Sequence, residues 1–185
     1  PEAGPDRRGF LQAAGLAGAS AALAGAQDPP GLPPFSNLGP DRIPHKQFGK
    51  TKETVSIIGI GGHTLGKAPT VKDAVAITHE AIDAGVTFFD NAWEYHQGRA
   101  EEWMGEALKG KRDKVFLMTK VCTHGRGKDV AMGQLEESLR RLKTDHLDLW
   151  QVHEVVYYND PDWHAKKGGV FEALDQAKKD GKVRY

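Results

Sequence analysis

The chain has 185 residues, of which 39% are hydrophobic and 27% charged, a composition typical of one globular domain rather than a disordered or membrane-spanning protein. Its 25 basic and 25 acidic residues give a formal net charge of zero, so the charge gives no reason to expect a nucleic-acid partner. The single cysteine, Cys122, excludes an internal disulfide and has no metal-binding spacing, and we predict no metal site.

The first 26 residues have the three parts of an export signal in the right order. Arg7 and Arg8 form the charged start, an Ala/Gly/Leu-rich stretch follows, and Ala24-Gly25-Ala26 matches an A-x-A cleavage pattern. The apolar stretch is too short and too weakly hydrophobic for a membrane span, which takes roughly 20 strongly apolar residues. The arginine pair resembles a twin-arginine (Tat) signal, which implies Tat-type export machinery and a periplasmic location. The alternative is a disordered tail with a chance arginine pair.

Residues 27–43 are rich in proline and glycine, which predicts an extended linker before a folded region over residues 44–185. At the start of that region, Phe48-Gly49-Lys50-Thr51 separates two short β-capable pieces. This pattern predicts a small hairpin that precedes the main sheet.

Strand and helix patterns then alternate along the chain. The predicted strands are Val55–Ile60, Val86–Phe89, Val115–Thr119 and Leu147–Val152, with Val183-Arg184-Tyr185 as the start of a fifth. The predicted helices are one that begins at a capping box on Thr70 and stops at Gly85, then Ala100–Leu108, Val130–Leu142 and Val170–Lys179. Four such units of about 30 residues each predict a parallel sheet covered by helices, because parallel strands need crossover connections.

The first of these helices has a predicted apolar side. Its members recur at three- and four-residue steps and are Ala74, Ile77, Thr78, Ala81 and Ile82.

Chemically capable residues follow three of the predicted strands. Asp90 follows the second strand, with Tyr95 on the loop after it; Lys120 follows the third and His153 the fourth. The carboxyl ends of parallel strands meet at one edge, so we expect these four side chains to converge.

The four residues suggest a proton-transfer site. A nearby ammonium favours the phenolate, so we expect Lys120 to lower the pKa of Tyr95, and Asp90 to pair with Lys120. His153 could then hydrogen-bond and orient a carbonyl oxygen while Tyr95 donates a proton as general acid. No side chain can supply a hydride, so a reduction would need a nicotinamide cofactor.

Several segments together resemble the aldo-keto reductase superfamily. They are Gly59-Ile60-Gly61-Gly62, Asp90-Asn91-Ala92-x-x-Tyr95, Glu101-x-x-x-Gly105-x-Ala107-Leu108, Met118-Thr119-Lys120-Val121, Leu139-Arg140-Arg141-Leu142-x-Thr144-Asp145-x-Leu147-Asp148-Leu149 followed by Gln151-Val152-His153, and Gly181-Lys182-Val183-Arg184-Tyr185.

This resemblance implies a parallel (β/α)8 barrel of the TIM type and NADPH- or NADH-dependent reduction of a small aldehyde or ketone. It implies Tyr95 as the acid and base, Lys120 and Asp90 as the pair that tunes it, and His153 as the residue that orients the carbonyl. It also places Gly62, His63 and Asp90 near the ribose of the cofactor.

A whole barrel takes about 250 residues. We therefore expect the chain to hold only the first four βα units behind the hairpin, as a fragment that lacks most of the cofactor's phosphate site and is itself possibly inactive.

Two other functions fit the same residues. Lys120 could form a Schiff base in a lyase, or the chain could be a nicotinamide-binding regulatory or interaction protein with little turnover. The sequence predicts no oligomeric state.

Overall fold

A computed structural model describes residues 43–122 and 127–185, which lie within one compact unit. The predicted export signal, and the predicted linker except its last residue, fall outside the described part of the chain. Among the described helices, none is long and apolar enough to cross a membrane.

The predicted hairpin is confirmed. Strands β1 (His45–Gln47) and β2 (Thr54–Ser56) pair antiparallel. The turn is closed by the hydroxyl of Thr51, which donates to the carbonyl of Phe48 at 2.6 Å.

The hairpin also covers one end of the main sheet. The ring of Phe48 lies 6.1 Å from that of Phe88 and 5.0 Å from that of Phe116. The hairpin therefore packs on the amino ends of two sheet strands, because Phe88 and Phe116 are the first residues of those strands.

The predicted strand Val55–Ile60 is wrong as a single element. Strand β2 ends at Ser56, and a new strand, β3 (Gly59–Gly61), begins after Ile57 and Ile58, which are both more than half exposed. The Ser56 hydroxyl donates to the carbonyl of Ile58 at 2.6 Å and fixes the bend between the two strands.

The main sheet has the predicted parallel arrangement. Its order is β3, β4 (Phe88–Asp90), β5 (Phe116–Cys122) and β6 (Leu149–His153), and every neighbouring pair is parallel. Beyond β6, Val183 forms a parallel bridge with Leu147, where the sequence predicts a fifth strand to begin. The chain order of the strands is thus also their order in space.

Helices follow the strands. Their bounds are α1 Gly62–Leu65, α2 Val71–Asp83, α3 Arg99–Ala107, α4 Lys128–Leu142, α5 Asp160–Ala165 and α6 Val170–Lys179. The capping box is confirmed, since the Thr70 hydroxyl accepts the Asp73 backbone N–H at 3.2 Å. The two shortest helices, α1 and α5, were not predicted.

The core lies between the sheet and its helices. Phe89, Leu117 and Leu147 have no exposed surface, and Leu135 and Met104 cover them from the helix side. The predicted apolar side of α2 is only partly correct. Ala74 and Thr78 are buried and Ala81 and Ile82 half-buried, but Ile77 is 46% exposed.

Candidate active site

The four predicted site residues lie together at the carboxyl end of the sheet. Asp90 and His153 are the last residues of β4 and β6, and Tyr95 opens a short 3-10 turn, Tyr95–Gly98, after β4. Lys120 does not follow its strand as expected. It lies inside β5, which continues to Cys122 because its backbone keeps pairing with β6.

Lys120 is directed into the site by the alternation of side chains along β5. Its neighbour Thr119 faces α3 and donates to the buried carboxylate of Glu101 at 2.6 Å. Lys120 faces the opposite side, where its ammonium donates to the Asp90 carboxylate and, at 2.8 Å, to the Asn91 carbonyl. The predicted pairing of Lys120 with Asp90 is therefore present.

Tyr95 contacts the other members of the site. Its hydroxyl oxygen lies 3.3 Å from Nε2 of His153, and the two rings meet edge to face. The ammonium of Lys120 lies 5.3 Å from the centre of the Tyr95 ring. The structure thus brings Asp90, Tyr95, Lys120 and His153 into one cluster.

The loop that carries Tyr95 is attached to strand β5. The backbone N–H groups of Asn91 and Trp93 donate to the carbonyls of Met118 and Lys120, at 3.0 and 3.1 Å. Pairing with β5 therefore continues beyond the last residue of β4, and this sets the height of Tyr95 above the sheet.

The pKa of Tyr95 moves in the direction opposite to the expectation. Burial raises it, and the carboxylates of Asp90, Glu94 and Glu154 raise it further. The ammonium of Lys120, 5.3 Å from the ring centre, does not outweigh these effects. Tyr95 therefore remains a neutral phenol at ordinary pH, which is the form that donates a proton.

Sequence reasoning missed Glu94. Its carboxylate accepts from Nδ1 of His153 at 2.9 Å, so the imidazole lies between Glu94 and Tyr95. Glu94, His153 and Glu154 also place one possible metal-ligand atom each within 4.8 Å of one another. The one available signal was that Glu94 adjoins Tyr95, which was itself expected to lie near His153.

The residues predicted to lie near the cofactor occupy the β3 side of the cluster. His63 is exposed, and its ring meets that of Tyr95 edge to face at 5.3 Å. Gly62 is buried against Asn91, and a Cβ atom on it would lie 2.4 Å from the amide carbon of that side chain. Gly61 differs, since a Cβ there would meet no atom within 4 Å.

Trp93 packs on helix α4. Its indole N–H donates to Glu137 at 2.8 Å, and the guanidinium of Arg141 lies 5.5 Å from the centre of its ring. Arg141 also donates to the Trp93 carbonyl at 2.9 Å. These contacts hold the segment that leads to Tyr95.

The sequence model of the Aldo/keto reductase family matches residues 57–185. Methylglyoxal reductase YeaE of Escherichia coli is 43% identical over 97 residues, which cover 52% of this chain and 34% of that protein. A rice protein named "Probable voltage-gated potassium channel subunit beta" is 38% identical over 130 residues, covering 64% of this chain and 38% of that protein.

Solved structures give the same result. An aldo-keto reductase from Klebsiella pneumoniae, crystallised with NADPH, is 35% identical and superposes with a TM-score of 0.63. The match covers 72% of this chain and 45% of that one, so the chain spans less than half the length of these proteins. The parallel sheet with its helices is thus part of the TIM-barrel architecture, and the chain belongs to the aldo/keto reductase family.

Proposed function

We propose that the protein reduces an aldehyde or ketone to an alcohol with NADPH or NADH, and that Tyr95 supplies the proton. The observation that carries the proposal is the cluster of Tyr95, Lys120, Asp90 and His153 at the carboxyl end of a parallel sheet. The activity is proposed for the whole protein, since the chain spans only about a third to just over half of the length of the relatives it matches.

The described residues fit a nicotinamide nucleotide on the β3 side of Tyr95. Gly61 leaves open space, His63 is exposed, and the Asp90 side chain is 40% exposed with carboxylate oxygens that can accept from ribose hydroxyls. When bound, the nucleotide would supply the hydride that the carbonyl carbon receives.

Tyr95 would complete the reaction by transferring its hydroxyl proton to the carbonyl oxygen. The raised pKa keeps this proton in place before the reaction. The transfer leaves a phenolate, whose negative charge is partly offset by the ammonium of Lys120 beside the ring. Asp90 and the Asn91 carbonyl hold that ammonium in position.

The test is NADPH oxidation by the complete protein with a panel of aldehydes and ketones. We expect Tyr95→Phe to reduce the rate by roughly 100- to 10,000-fold, the usual contribution of a general acid. Tyr158→Phe is the matched control, because Tyr158 is 97% exposed. An inert wild type, or a Tyr95→Phe variant with the wild-type rate, would contradict the proposal.

A regulatory function is the second candidate, favoured by the similarity to the rice potassium channel subunit. Tight NADPH binding by the complete protein without turnover of any carbonyl would support it. The Schiff-base lyase is disfavoured, because the amine of Lys120 already donates to Asp90 and to the Asn91 carbonyl. Borohydride would trap substrate on Lys120 only if the protein were such a lyase.

Export through Tat-type machinery to the periplasm remains a proposal that rests on residues 1–26. Fusion of this segment to a reporter that is active only after export tests it. We expect export by the native segment and none after Arg7 and Arg8 are both changed to Lys. A reporter that is not exported by the native segment would contradict the proposal.

A further inference from the structure

We propose that His96 and Arg99 are positioning residues that hold helix α1 in the shape to which the nicotinamide nucleotide binds. Both act through α1, which carries Gly62 and His63 on the β3 side of Tyr95. The nucleotide part of this inference rests on the proposed function, whereas the effect of the two side chains on α1 does not.

Helix α1 is too short to satisfy its own carbonyl groups. It has only four residues, and an isolated helix of this length is unstable in water. Three backbone N–H groups after the helix donate back to it, from Gly66 to Gly62 at 2.8 Å, from Lys67 to Thr64 at 3.0 Å and from Ala68 to Leu65 at 3.0 Å. These bonds leave the carbonyls of His63 and Gly66 to other donors.

The two remaining carbonyls accept from side chains that follow Tyr95 in the chain. Nε2 of His96 lies 2.8 Å from the carbonyl oxygen of His63, and because a carbonyl only accepts, Nε2 is the donor. Nη2 of Arg99, the first residue of α3, donates to the carbonyl of Gly66 at 2.9 Å. The segment that carries Tyr95 thus supplies the hydrogen bonds that the short helix lacks, and it attaches α1 to that segment.

The backbone of this segment is strained at the point where His96 reaches α1. His96 and Gln97 have φ angles of 53° and 58°, in the left-handed region, which two consecutive non-glycine residues keep only where their surroundings maintain it. The imidazole of His96 lies against Gly66, where a Cβ would be 2.5 Å from Cδ2 of that ring. Its centre is also 5.0 Å from that of the His63 ring, which in turn lies 5.3 Å from that of Tyr95. His96 therefore contacts both the backbone and the side chain of His63.

A helix α1 that is already in place should increase the affinity for the nucleotide. If α1 adopts other conformations in the free protein, the apparent dissociation constant rises as the fraction of binding-competent protein falls. Once the nucleotide is bound, its own contacts favour the competent conformation. Loss of His96 should therefore raise the dissociation constant and the KM for NADPH, and should change kcat little when the nucleotide is saturating.

Hydrogen exchange of the complete protein without nucleotide tests the effect on α1 directly. Mass spectrometry would follow the peptide that covers residues 62–68, with helix α6 as the internal reference. We expect exchange of this peptide to be roughly 3- to 10-fold faster in His96→Phe and in Arg99→Met, the value of one hydrogen bond. His96→Gln should stay close to the wild type, because its amide can still donate.

Gln97→Phe is the matched control for His96→Phe. It adds the same ring at the neighbouring left-handed position, and Gln97 is exposed. We therefore expect the exchange of residues 62–68 in Gln97→Phe to equal that of the wild type.

Nucleotide binding by the same variants tests the consequence. Calorimetric titration with NADPH should give a dissociation constant roughly 3- to 10-fold higher for His96→Phe and Arg99→Met, and near the wild-type value for His96→Gln and Gln97→Phe. In turnover, the KM for NADPH should rise by the same factor, with kcat within about 2-fold of the wild type.

The outcomes separate this inference from the proposed function. Unchanged exchange of residues 62–68 in His96→Phe, or an unchanged dissociation constant for NADPH, would overturn the inference. Faster exchange in α6 as well would also overturn it, because the side chain would then act on the whole fold. A complete protein that binds NADPH with the expected differences between variants but reduces no carbonyl would refute the reductase function while supporting the inference.

Discussion

Arg141 of α4 forms an ion pair with Glu101 of α3, with Nη1 3.2 Å from Oε2, and the same nitrogen donates to the carbonyl of Trp93. Glu101 has no exposed surface, and its burial raises the pKa of its carboxyl, which hydrogen bonds from Thr119 and Arg141 oppose. Gly98 accommodates this arginine, because it has a φ of 92° and a Cβ there would lie 2.4 Å from the guanidinium carbon. The pair therefore connects two helices to the loop that carries Tyr95.

Arg141→Leu should be strongly destabilising. It leaves a fully buried carboxylate without its cation, so we expect a loss of about 3 kcal/mol in the free energy of unfolding. Arg140→Leu is the control on the same helix, since its side chain is 71% exposed and its pair with Glu137 is long at 3.6 Å. Urea denaturation measures the free energy of unfolding of both variants. Equal losses for the two changes would contradict the stabilising role of the pair between Arg141 and Glu101.

Gly105 of α3 and Gly133 of α4 should respond oppositely to alanine. A Cβ on Gly105 would lie 2.3 Å from the Arg141 carbonyl oxygen, so Gly105→Ala must push the helices apart and should cost about 1–3 kcal/mol. A Cβ on Gly133 meets nothing within 4 Å, and alanine there should stabilise the helix by up to about 1 kcal/mol. Thermal unfolding of both variants tests this prediction. A change of the unfolding temperature in the same direction for both variants would contradict it.

Asp148 should make the fold sensitive to acid. Burial opposes its charge, but the N–H of Leu117 and the guanidinium groups of Arg184 and Arg112 hold the pKa of its carboxyl below the usual value. Its contribution to stability is therefore present above the unfolded pKa of about 3.9 and is lost as the pH falls through the folded pKa. We expect the free energy of unfolding, measured by urea denaturation at several acidic pH values, to depend less steeply on pH for Asp148→Asn than for the wild type. Asp113→Asn, at an exposed position, should behave as the wild type.

Tyr95 should have the opposite effect, at alkaline pH. Its raised pKa means that the folded state holds the phenolic proton more tightly than the unfolded state. This contribution to stability is complete below the unfolded pKa of about 10 and is lost as the pH rises through the folded pKa. The wild type should therefore lose stability more steeply above about pH 10 than Tyr95→Phe does. Tyr158→Phe serves as the control, and identical curves for all three proteins would contradict the raised pKa.

The sequence was most informative where local signals agree with one another. Helix α6 has the predicted bounds, Val170–Lys179, because its apolar spacing and the glycines on both sides indicate the same ends. The Thr70 capping box and the hairpin turn at Phe48 are also local and were predicted correctly. Regular alternation of strands and helices then allows few arrangements other than a parallel sheet.

Predictions that depend on contacts between distant residues were less successful. The apolar run from Val55 to Ile60 reads as one strand, but Ser56 bends it so that its halves join different sheets. Clustering of Asp90, Tyr95, Lys120 and His153 could be expected from strand ends alone. The direction of the Tyr95 pKa shift could not, because it depends on the burial of the ring and on three carboxylates that follow two different strands.

The backbone bonds from Asn91 and Trp93 to β5 attach the loop of Tyr95 to the strand that carries Lys120. A displacement of β5 along its axis would therefore move the phenol and the ammonium in the same direction. A protein engineer who moves segments 88–95 and 116–122 to another parallel sheet would also have to move α4, whose Glu137 and Arg141 hold Trp93.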